Sequence, residues 1–379
     1  MSARPTEAGS ALSPTPCLDR QIPLPPRNPI DSELRWWHLA LIATILLIKT
    51  FFVIVALWVL SVLVHELGHL VGGLLIGFRF NYIRIGPLRI ERSGKFNWRW
   101  SWRFLGGGAT SALPVSRSAL RWRLFLFVAA GPAASLACAL YVFKIMPRNN
   151  SMGAAVGLGF VVISTLMGFT NLLPLQRKGT MLDGLKLWIL LFSKRRRERL
   201  IFLLTFVADA KKGDLKSFME DGALEQSSLI KDASSEEVVA NWLAYAKATA
   251  QKDYGLAAAC LERCLVASST TTQDLREVLI IEAAKYQALR RGRPDLAREW
   301  LALEDSRRAR PGRFVAEALI LYRENQFDGA LAKVEEALAS IETEAQGTVR
   351  STQEQSLRNL REALQKAGPR KADLDQFLT

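Results

Sequence analysis

Three long stretches of the 379-residue chain contain hardly any charged side chains, namely residues 36–77, 121–146 and 152–175. A run of about 18 or more apolar residues predicts a helix that spans a membrane. After residue 200 no such run occurs, and apolar residues recur there in a helical pattern among charged ones. The pattern therefore predicts a fold that is mainly α: a membrane part with three spans, followed by a soluble α-helical part.

The first stretch is about twice as long as one span requires, and Lys49 is its only basic residue. It forms either one long, tilted helix or a short interfacial segment, 36–48, followed by a span from about 50 to 77. We favour the second arrangement. Residues 1–35 are rich in proline and serine and lack the apolar core of a signal peptide, so they predict a disordered N-terminal tail.

The segment between the first two spans has a different pattern. In residues 78–104 apolar and polar positions alternate around Gly86 and Gly94, which predicts a β-hairpin. Residues 78–123 hold ten Lys and Arg but only one acidic residue, Glu91. By the positive-inside rule this loop, and the hairpin within it, lie on the cytoplasmic side.

The same rule orients the rest of the chain. The short link 147–151 and the N-terminal tail lie outside, and the basic run 194–199 lies inside. Residues 181–193 are too short to span and predict a re-entrant or interfacial segment. We therefore divide the chain into a tail (1–35), a membrane domain (36–200) and a cytoplasmic helical domain (201–379).

The charge is distributed as unevenly as the apolar residues. Residues 1–200 contain 25 basic and 8 acidic residues, whereas the remainder contains 25 basic and 28 acidic ones. The net charge of +14 thus belongs to the membrane half, and a soluble half that is slightly acidic argues against a nucleic-acid partner. The four cysteines form no disulfide framework, and we interpret Cys260 and Cys264 as small core residues rather than metal ligands.

The soluble half repeats one pattern: an Ala- and aromatic-rich helix, a short polar turn, and a second helix that opens on alanine. The similar segments are residues 242–265, 282–304 and 316–338. Their turn-following alanines, Ala257, Ala297 and Ala330, are 40 and 33 residues apart, and a period near 34 resembles tetratricopeptide helix pairs. The alternative is an unspecialised helical bundle. Either arrangement of stacked amphipathic helices predicts a surface that binds a protein partner.

The candidate chemistry lies inside the first apolar stretch, in the sequence HELGH at residues 65–69. Residues i and i+4 share one face of a helix, so His65 and His69 can bind one metal ion. Glu66 can then lean towards the metal as a general base without ligating it. A carboxylate at membrane depth costs at least about 2.5 kcal/mol unless it is compensated, and a bound dication supplies that compensation. The stretch therefore predicts a zinc site rather than a chance pair of histidines.

Catalytic zinc usually takes three protein ligands. The chain has one further histidine, His38, which lies 27 residues before His65 and thus about 40 Å away along a straight helix. The third ligand should therefore be a carboxylate near the cytoplasmic end of another apolar segment. Between Glu91 and Glu198 the only acidic residue is Asp183, so elimination predicts Asp183 as the third ligand.

These motifs together resemble the site-2 protease family of intramembrane zinc metalloproteases. The resemblance rests on HELGH (65–69), AGPAASL (130–136), NLLP (171–174) and LDG (182–184), and it covers about residues 50–192. It implies that Asp183 is the third zinc ligand and that Asn171 donates a hydrogen bond to substrate or to the developing oxyanion. It also implies that the active site faces the cytosol.

We accordingly expect a zinc metalloendopeptidase, holding one zinc ion, that cleaves peptide bonds in or near the transmembrane helices of protein substrates. The expected location is the bilayer of a bacterial cytoplasmic membrane, with a protein partner on the helical domain. An alternative is a non-catalytic scaffold with a structural metal. Glu66 argues against it, because a structural site has no need of a base. Other membrane zinc proteases take a glutamate from a later helix as third ligand, and no suitable glutamate precedes the soluble domain.

Overall fold

The structure is a computed structural model. It describes residues 29–98, 107–149, 151–177, 180–211, 213, 222–304, 310–344 and 348–367. Its contacts divide the chain into two units, residues 1–56 and residues 57–379. All of the candidate site residues belong to the second unit.

The first helix, α1, runs without a break over Pro29–Leu75. Residues 36–75 therefore form one helix, which differs from the two-segment arrangement that we favoured. The physical reason is that residues 30–67 contain no glycine or proline, and a single lysine is a good helix former. Residues 29–35, assigned to the disordered tail, also belong to α1, and residues 1–28 of that tail lie outside the described residues.

A small antiparallel sheet follows α1 and is larger than the predicted hairpin. Its strands are β1 (Phe78–Ile85), β2 (Leu88–Glu91), β3 (Phe96–Trp98) and β4 (Gly108–Pro114), in the order β3-β2-β1-β4. The turn between β1 and β2 needs Gly86, whose φ of 55° suits a residue without a Cβ. The fourth strand, which pairs with β1 and sets Thr110 opposite Ile83, was not expected from the sequence.

Two further helices, α2 (Leu120–Ile145) and α3 (Met152–Leu172), agree with the predicted second and third spans. Together with residues 36–75 they are long and apolar enough to cross a membrane. α1 and α2 pack closely through small residues, because a Cβ on Gly68 would lie 2.5 Å from the Cβ of Ala134. α1 and α3 are joined by a hydrogen bond of 2.8 Å between the buried hydroxyls of Ser61 and Ser164.

Two short strands and a short helix follow α3. The strands are β5 (Gln176–Arg177) and β6 (Thr180–Met181), and the helix is α4 (Asp183–Phe192). With 10 residues, α4 is too short to span a membrane. Its Leu190 is fully buried in a core cluster with Phe78 of β1 and Leu124 of α2. α4 is thereby fixed against both the sheet and the second span.

The next helix, α5 (Lys194–Ala210), crosses the predicted domain boundary at residue 200. Leu200 and Leu204 pack against the core cluster that contains Phe78 and Leu190. Phe202 and Leu203 pack instead in a cluster with Leu224 of the helical domain. One helix therefore contributes to two cores, and the basic run 194–199 forms its N-terminal end.

Eight further α-helices follow α5 among the described residues, in the part of the chain that we predicted to be a helical domain. They are α6 (Ala223–Ser228), α7 (Ser235–Ala250), α8 (Tyr254–Ala267), α9 (Gln273–Leu289), α10 (Pro294–Ala302), α11 (Pro311–Arg323), α12 (Phe327–Glu344) and α13 (Thr348–Ala367). The repeated alanines Ala257, Ala297 and Ala330 lie in α8, α10 and α12, and all three are fully buried. Each small side chain lets the second helix of a pair pack closely on its neighbours. Cys260 and Cys264 are buried, unbridged residues of this core.

Candidate metal centre

Two separate elements bring the predicted ligands together. His65 and His69 lie one turn apart on α1, with ring centroids 4.9 Å from each other. Asp183 is the first residue of α4, 118 positions from His65. All three side chains are buried. The sequence separation of the ligands means that the site forms only when α4 is packed in place.

The ligand atoms converge on one point. Oδ2 of Asp183 lies 3.1 Å from Nε2 of His65 and 3.2 Å from Nε2 of His69. Tetrahedral zinc with bonds of about 2.0–2.1 Å separates its ligand atoms by roughly 3.3 Å. Two imidazole nitrogens and one carboxylate oxygen are also a donor set that zinc prefers. The residues therefore fit a zinc ion.

Hydrogen bonds on the far side of each imidazole support the same conclusion. Nδ1 of His69 lies 2.8 Å from the carbonyl oxygen of Phe127, which can only accept, so this nitrogen carries the proton. In the neutral ring Nε2 then has a lone pair directed at the Asp183 carboxylate. Lone pairs facing each other at this distance repel unless a proton or a metal ion lies between them. Nδ1 of His65 is in turn 3.1 Å from Oγ of Ser135, an arrangement typical of metal-bound histidines.

The position of Asp183 is fixed from two sides. A Cβ on the next residue, Gly184, would lie 1.9 Å from the carbonyl oxygen of Leu172, so only glycine lets the start of α4 pack against the end of α3. Nζ of Lys186 lies 3.2 Å from Oδ1 of Asp183. The second carboxylate oxygen is thus engaged, and Oδ2 is left to face the two histidines.

Close approach of α2 to α1 depends on a second glycine. A Cβ on Gly131 would lie 2.3 Å from Nε2 of His69. The backbone of α2 therefore borders the metal site directly, and any side chain at this position would displace the ligand. This contact gives a physical role to the glycine of the AGPAASL motif.

Glu66 is buried beside the three ligands but is not one of them. Its Oε2 accepts a hydrogen bond of 2.7 Å from the hydroxyl of Thr110, which also lies 3.0 Å from the main-chain oxygen of Glu66. The carboxylate is thus covered by strand β4. A buried carboxylate that is held next to a zinc site is suited to accept and return a proton.

Asn171 lies near the end of α3, and its amide nitrogen donates to the carbonyl oxygen of Met167, 3.0 Å away on the same helix. The structure thus brings together His65, His69 and Asp183, with Glu66 beside them, and engages Asn171 with its own helix. Sequence reasoning missed Ser135 and Thr110. Ser135 lies in the AGPAASL motif, and a metal-bound histidine needs such an acceptor, so that motif was an available signal. Thr110 left no signal, because it meets Glu66 only through the packing of β4.

Comparison with known proteins supports the same kind of site. Residues 52–160 match the model of Peptidase family M50, the site-2 protease family. The match contains His65, Glu66 and His69 but ends before Asp183. No curated protein and no solved structure matches the chain. The match and the three apolar helices point to a membrane metallopeptidase, and the peptidases of this family depend on zinc.

Proposed function

We propose that this protein is an intramembrane zinc metalloprotease that hydrolyses peptide bonds in or near the transmembrane helices of other proteins. One observation carries the proposal: His65, His69 and Asp183 converge next to Glu66, and the histidines lie within a helix long and apolar enough to span a membrane. Asp183 lies outside the segment matched by the family, so its place in the site is supported by geometry independently of the match.

The chain's own residues have distinct roles in the proposed reaction. His65, His69 and Asp183 would hold the zinc ion, which when bound activates water and polarises the peptide carbonyl. Glu66 accepts the proton of the attacking water and transfers it to the leaving amine. The carbonyl of Phe127 holds His69 in the tautomer that a ligand needs, and the Ser135 hydroxyl can accept the corresponding proton from Nδ1 of His65.

Asn171 is our proposed donor to the substrate or to the developing oxyanion. An amide nitrogen carries two protons, and the bond to Met167 uses one of them. Such a donor stabilises the negative charge that develops on the carbonyl oxygen. The proposal needs a substrate helix that unwinds locally at this point, because an intact helix engages its own carbonyls.

We further propose that the site and the helical domain face the cytoplasm of a bacterial cell, with the spans in the cytoplasmic membrane. The ten basic residues of the loop 78–123 support this orientation. The paired helices of residues 235–344 support a protein-binding role of tetratricopeptide type for the helical domain.

The proposal is tested with purified protein in detergent or liposomes and a transmembrane reporter substrate. Wild type should contain one zinc per chain and cleave the reporter. Glu66→Gln should keep its zinc but lose cleavage by at least about 100-fold, because the amide cannot accept the proton. Asp183→Ala should lose zinc and activity together, since two histidines alone bind the ion weakly.

Two results would contradict the proposal. If Glu66→Gln cleaved as fast as wild type, Glu66 would not be the base. If wild type bound zinc with full occupancy and cleaved no membrane reporter, while zinc removal unfolded the protein, the metal would be structural and the scaffold alternative would hold.

A further inference from the structure

Strand β4 reaches the candidate active site through one hydroxyl group. Thr110 lies 2.7 Å from Oε2 of Glu66 and 3.0 Å from the main-chain oxygen of the same residue. A hydroxyl has one proton, and the shorter contact to a charged acceptor is the stronger bond. Thr110 therefore donates to the carboxylate, and its oxygen also borders the peptide unit that carries this side chain.

The second oxygen of Glu66 meets the same strand. A Cβ on Gly108 would lie 2.3 Å from Oε1 of Glu66, so the bare backbone of β4 borders this oxygen. Both carboxylate oxygens are thus covered by residues two positions apart on one strand. Alternate residues of a strand point to the same face, so this is the face of β4 that meets α1.

Strand β4 is itself firmly placed. Thr110 pairs with Ile83 in the ladder between β1 and β4. Two residues further, Ala112 is buried in the core cluster with Phe78 and Leu190. Phe78 of β1 also stacks on Phe127, whose carbonyl oxygen holds His69. A group on such a strand can position a side chain more precisely than a group on a mobile loop.

We propose that Thr110 is a positioning residue of the proteolytic reaction: its hydroxyl holds the carboxylate of Glu66 in the orientation in which it takes a proton from water. The inference rests on the proposed function. Among the described residues Thr110 hydrogen-bonds to Glu66 and to none of the three proposed zinc ligands, so we expect it to act on the reaction through Glu66. Loss of the hydroxyl should therefore slow turnover and leave both zinc binding and substrate binding intact.

The decisive test compares Thr110→Val with Thr110→Ser. Valine keeps the methyl group and the shape but removes the donor, whereas serine keeps the donor and removes the methyl group. Thr110→Val should lower kcat by about 10- to 100-fold, the range set by a hydrogen bond to a charged group. Its KM and zinc content should stay within about twofold of wild type, and Thr110→Ser should recover most of kcat.

Ser111→Ala is a matched control on the same strand. Ser111 accepts a hydrogen bond from Asn81 at 3.0 Å, so the variant also removes a β4 hydroxyl but not one that meets Glu66. Its kcat should equal that of wild type. If Thr110→Val stayed fully active, or if Thr110→Ser lost as much activity as Thr110→Val, the positioning role would be refuted. Equal losses in the Ser111→Ala control would point to a general effect of strand stability.

A second measurement is independent of proteolysis. The unfolding temperature is determined for Thr110→Val, Glu66→Ala and the double variant. If Thr110 binds Glu66 as inferred, the two effects are non-additive, because either change alone removes the shared bond. Additive effects would overturn the contact itself. If the wild-type protein cleaved no substrate but the variants showed this coupling, the proposed function would be refuted and the contact between Thr110 and Glu66 would still hold.

Discussion

At the scale of single residues, the candidate centre depends on partners that never touch the metal. Ser135 lies 3.1 Å from Nδ1 of His65, on the side of the ring away from Asp183. When Nε2 is a ligand, Nδ1 carries the proton and donates it to this hydroxyl. The hydrogen bond holds the orientation of the ring, and the hydroxyl can accept the Nδ1 proton that a ligand tautomer carries. Ser135 is fully buried, so water cannot readily replace it.

We therefore predict that Ser135→Ala weakens zinc binding by about 10- to 100-fold, the usual cost of losing such a partner. Competition with a chelator of known affinity measures the change. Ser164→Ala is the matched control, because it also removes a fully buried serine hydroxyl from a contact between apolar helices, the 2.8 Å bond to Ser61. Equal zinc affinities for the two variants would show that Ser135 does not support His65.

The ligands themselves could be predicted because their chemistry is rare in an apolar sequence. His65 and His69 are four residues apart, and Asp183 is the one acidic residue in the 106 residues from 92 to 197, so few other ligand sets were possible. Their partners could not be predicted, since a serine or threonine is ordinary anywhere. Ser135 and Thr110 acquire their roles only from the packing of α2 and β4 against α1. Asn171 was assigned by resemblance, and its bond to Met167 is a feature that only coordinates reveal.

At the scale of elements, α5 is the helix for which the interpretation of the sequence and the structure differ most. Its basic start, residues 194–199, was interpreted as a charge signal on the cytoplasmic side. Arg199 is instead almost completely buried, with Nη2 2.6 Å from Oδ2 of Asp232 and 2.9 Å from Oγ of Ser234. A buried arginine needs a partner from elsewhere in the chain, and no local pattern reveals a partner 33 residues away.

We predict that Arg199→Met lowers the free energy of unfolding by about 2–3 kcal/mol. Breaking a buried pair usually costs somewhat more, but Arg196 keeps a 2.7 Å contact with Asp232. Thermal unfolding of the purified protein measures the change. Arg298→Met, which removes a partly exposed ion pair with Glu324, should cost no more than about 1 kcal/mol. If both variants were equally stable, Arg199 would not anchor α5 to the helical domain.

The same pair predicts a dependence on pH. Burial raises the pKa of Asp232, but the hydrogen bonds from Ser234 and Arg199 outweigh it and leave the pKa below the ordinary value of 3.8. The folded pKa is therefore the lower one, so the stabilisation is present above pH 3.8 and is lost as the pH falls through the lowered pKa. The stability difference between wild type and Arg199→Met should shrink in that acidic range.

At the scale of the whole molecule, the distribution of charge predicts an orientation in the membrane. The sheet-bearing loop 78–123 contains ten basic residues, whereas the link 147–151 between α2 and α3 contains one. Cytoplasmic loops carry the excess of Lys and Arg. The loop and the helical domain should thus lie in the cytoplasm, and the link on the opposite side.

Single cysteines at three exposed positions test this arrangement: Asn149→Cys, Ser93→Cys and Val266→Cys. The background replaces the four native cysteines by alanine, so that the introduced cysteine is the one thiol that can react with the label. A maleimide that cannot cross membranes should label residue 149 in intact cells. It should reach residues 93 and 266 only after the cells are permeabilised.

The three positions together distinguish an inverted chain from a chain in which α2 does not cross the membrane. Labelling of 93 and 266 but not of 149 in intact cells would mean that the chain is inverted, and the active site would then face outward. Labelling of 93 and 149 on the same side would mean that α2 does not cross the bilayer. In that case Gly131 and Ser135 could not line a site within the membrane, and the proposed cleavage of transmembrane helices would lose its structural basis. The expected pattern requires α2 to span the membrane. It also puts Glu66, which lies near the C-terminal end of α1, close to the same membrane face as the loop that carries Thr110.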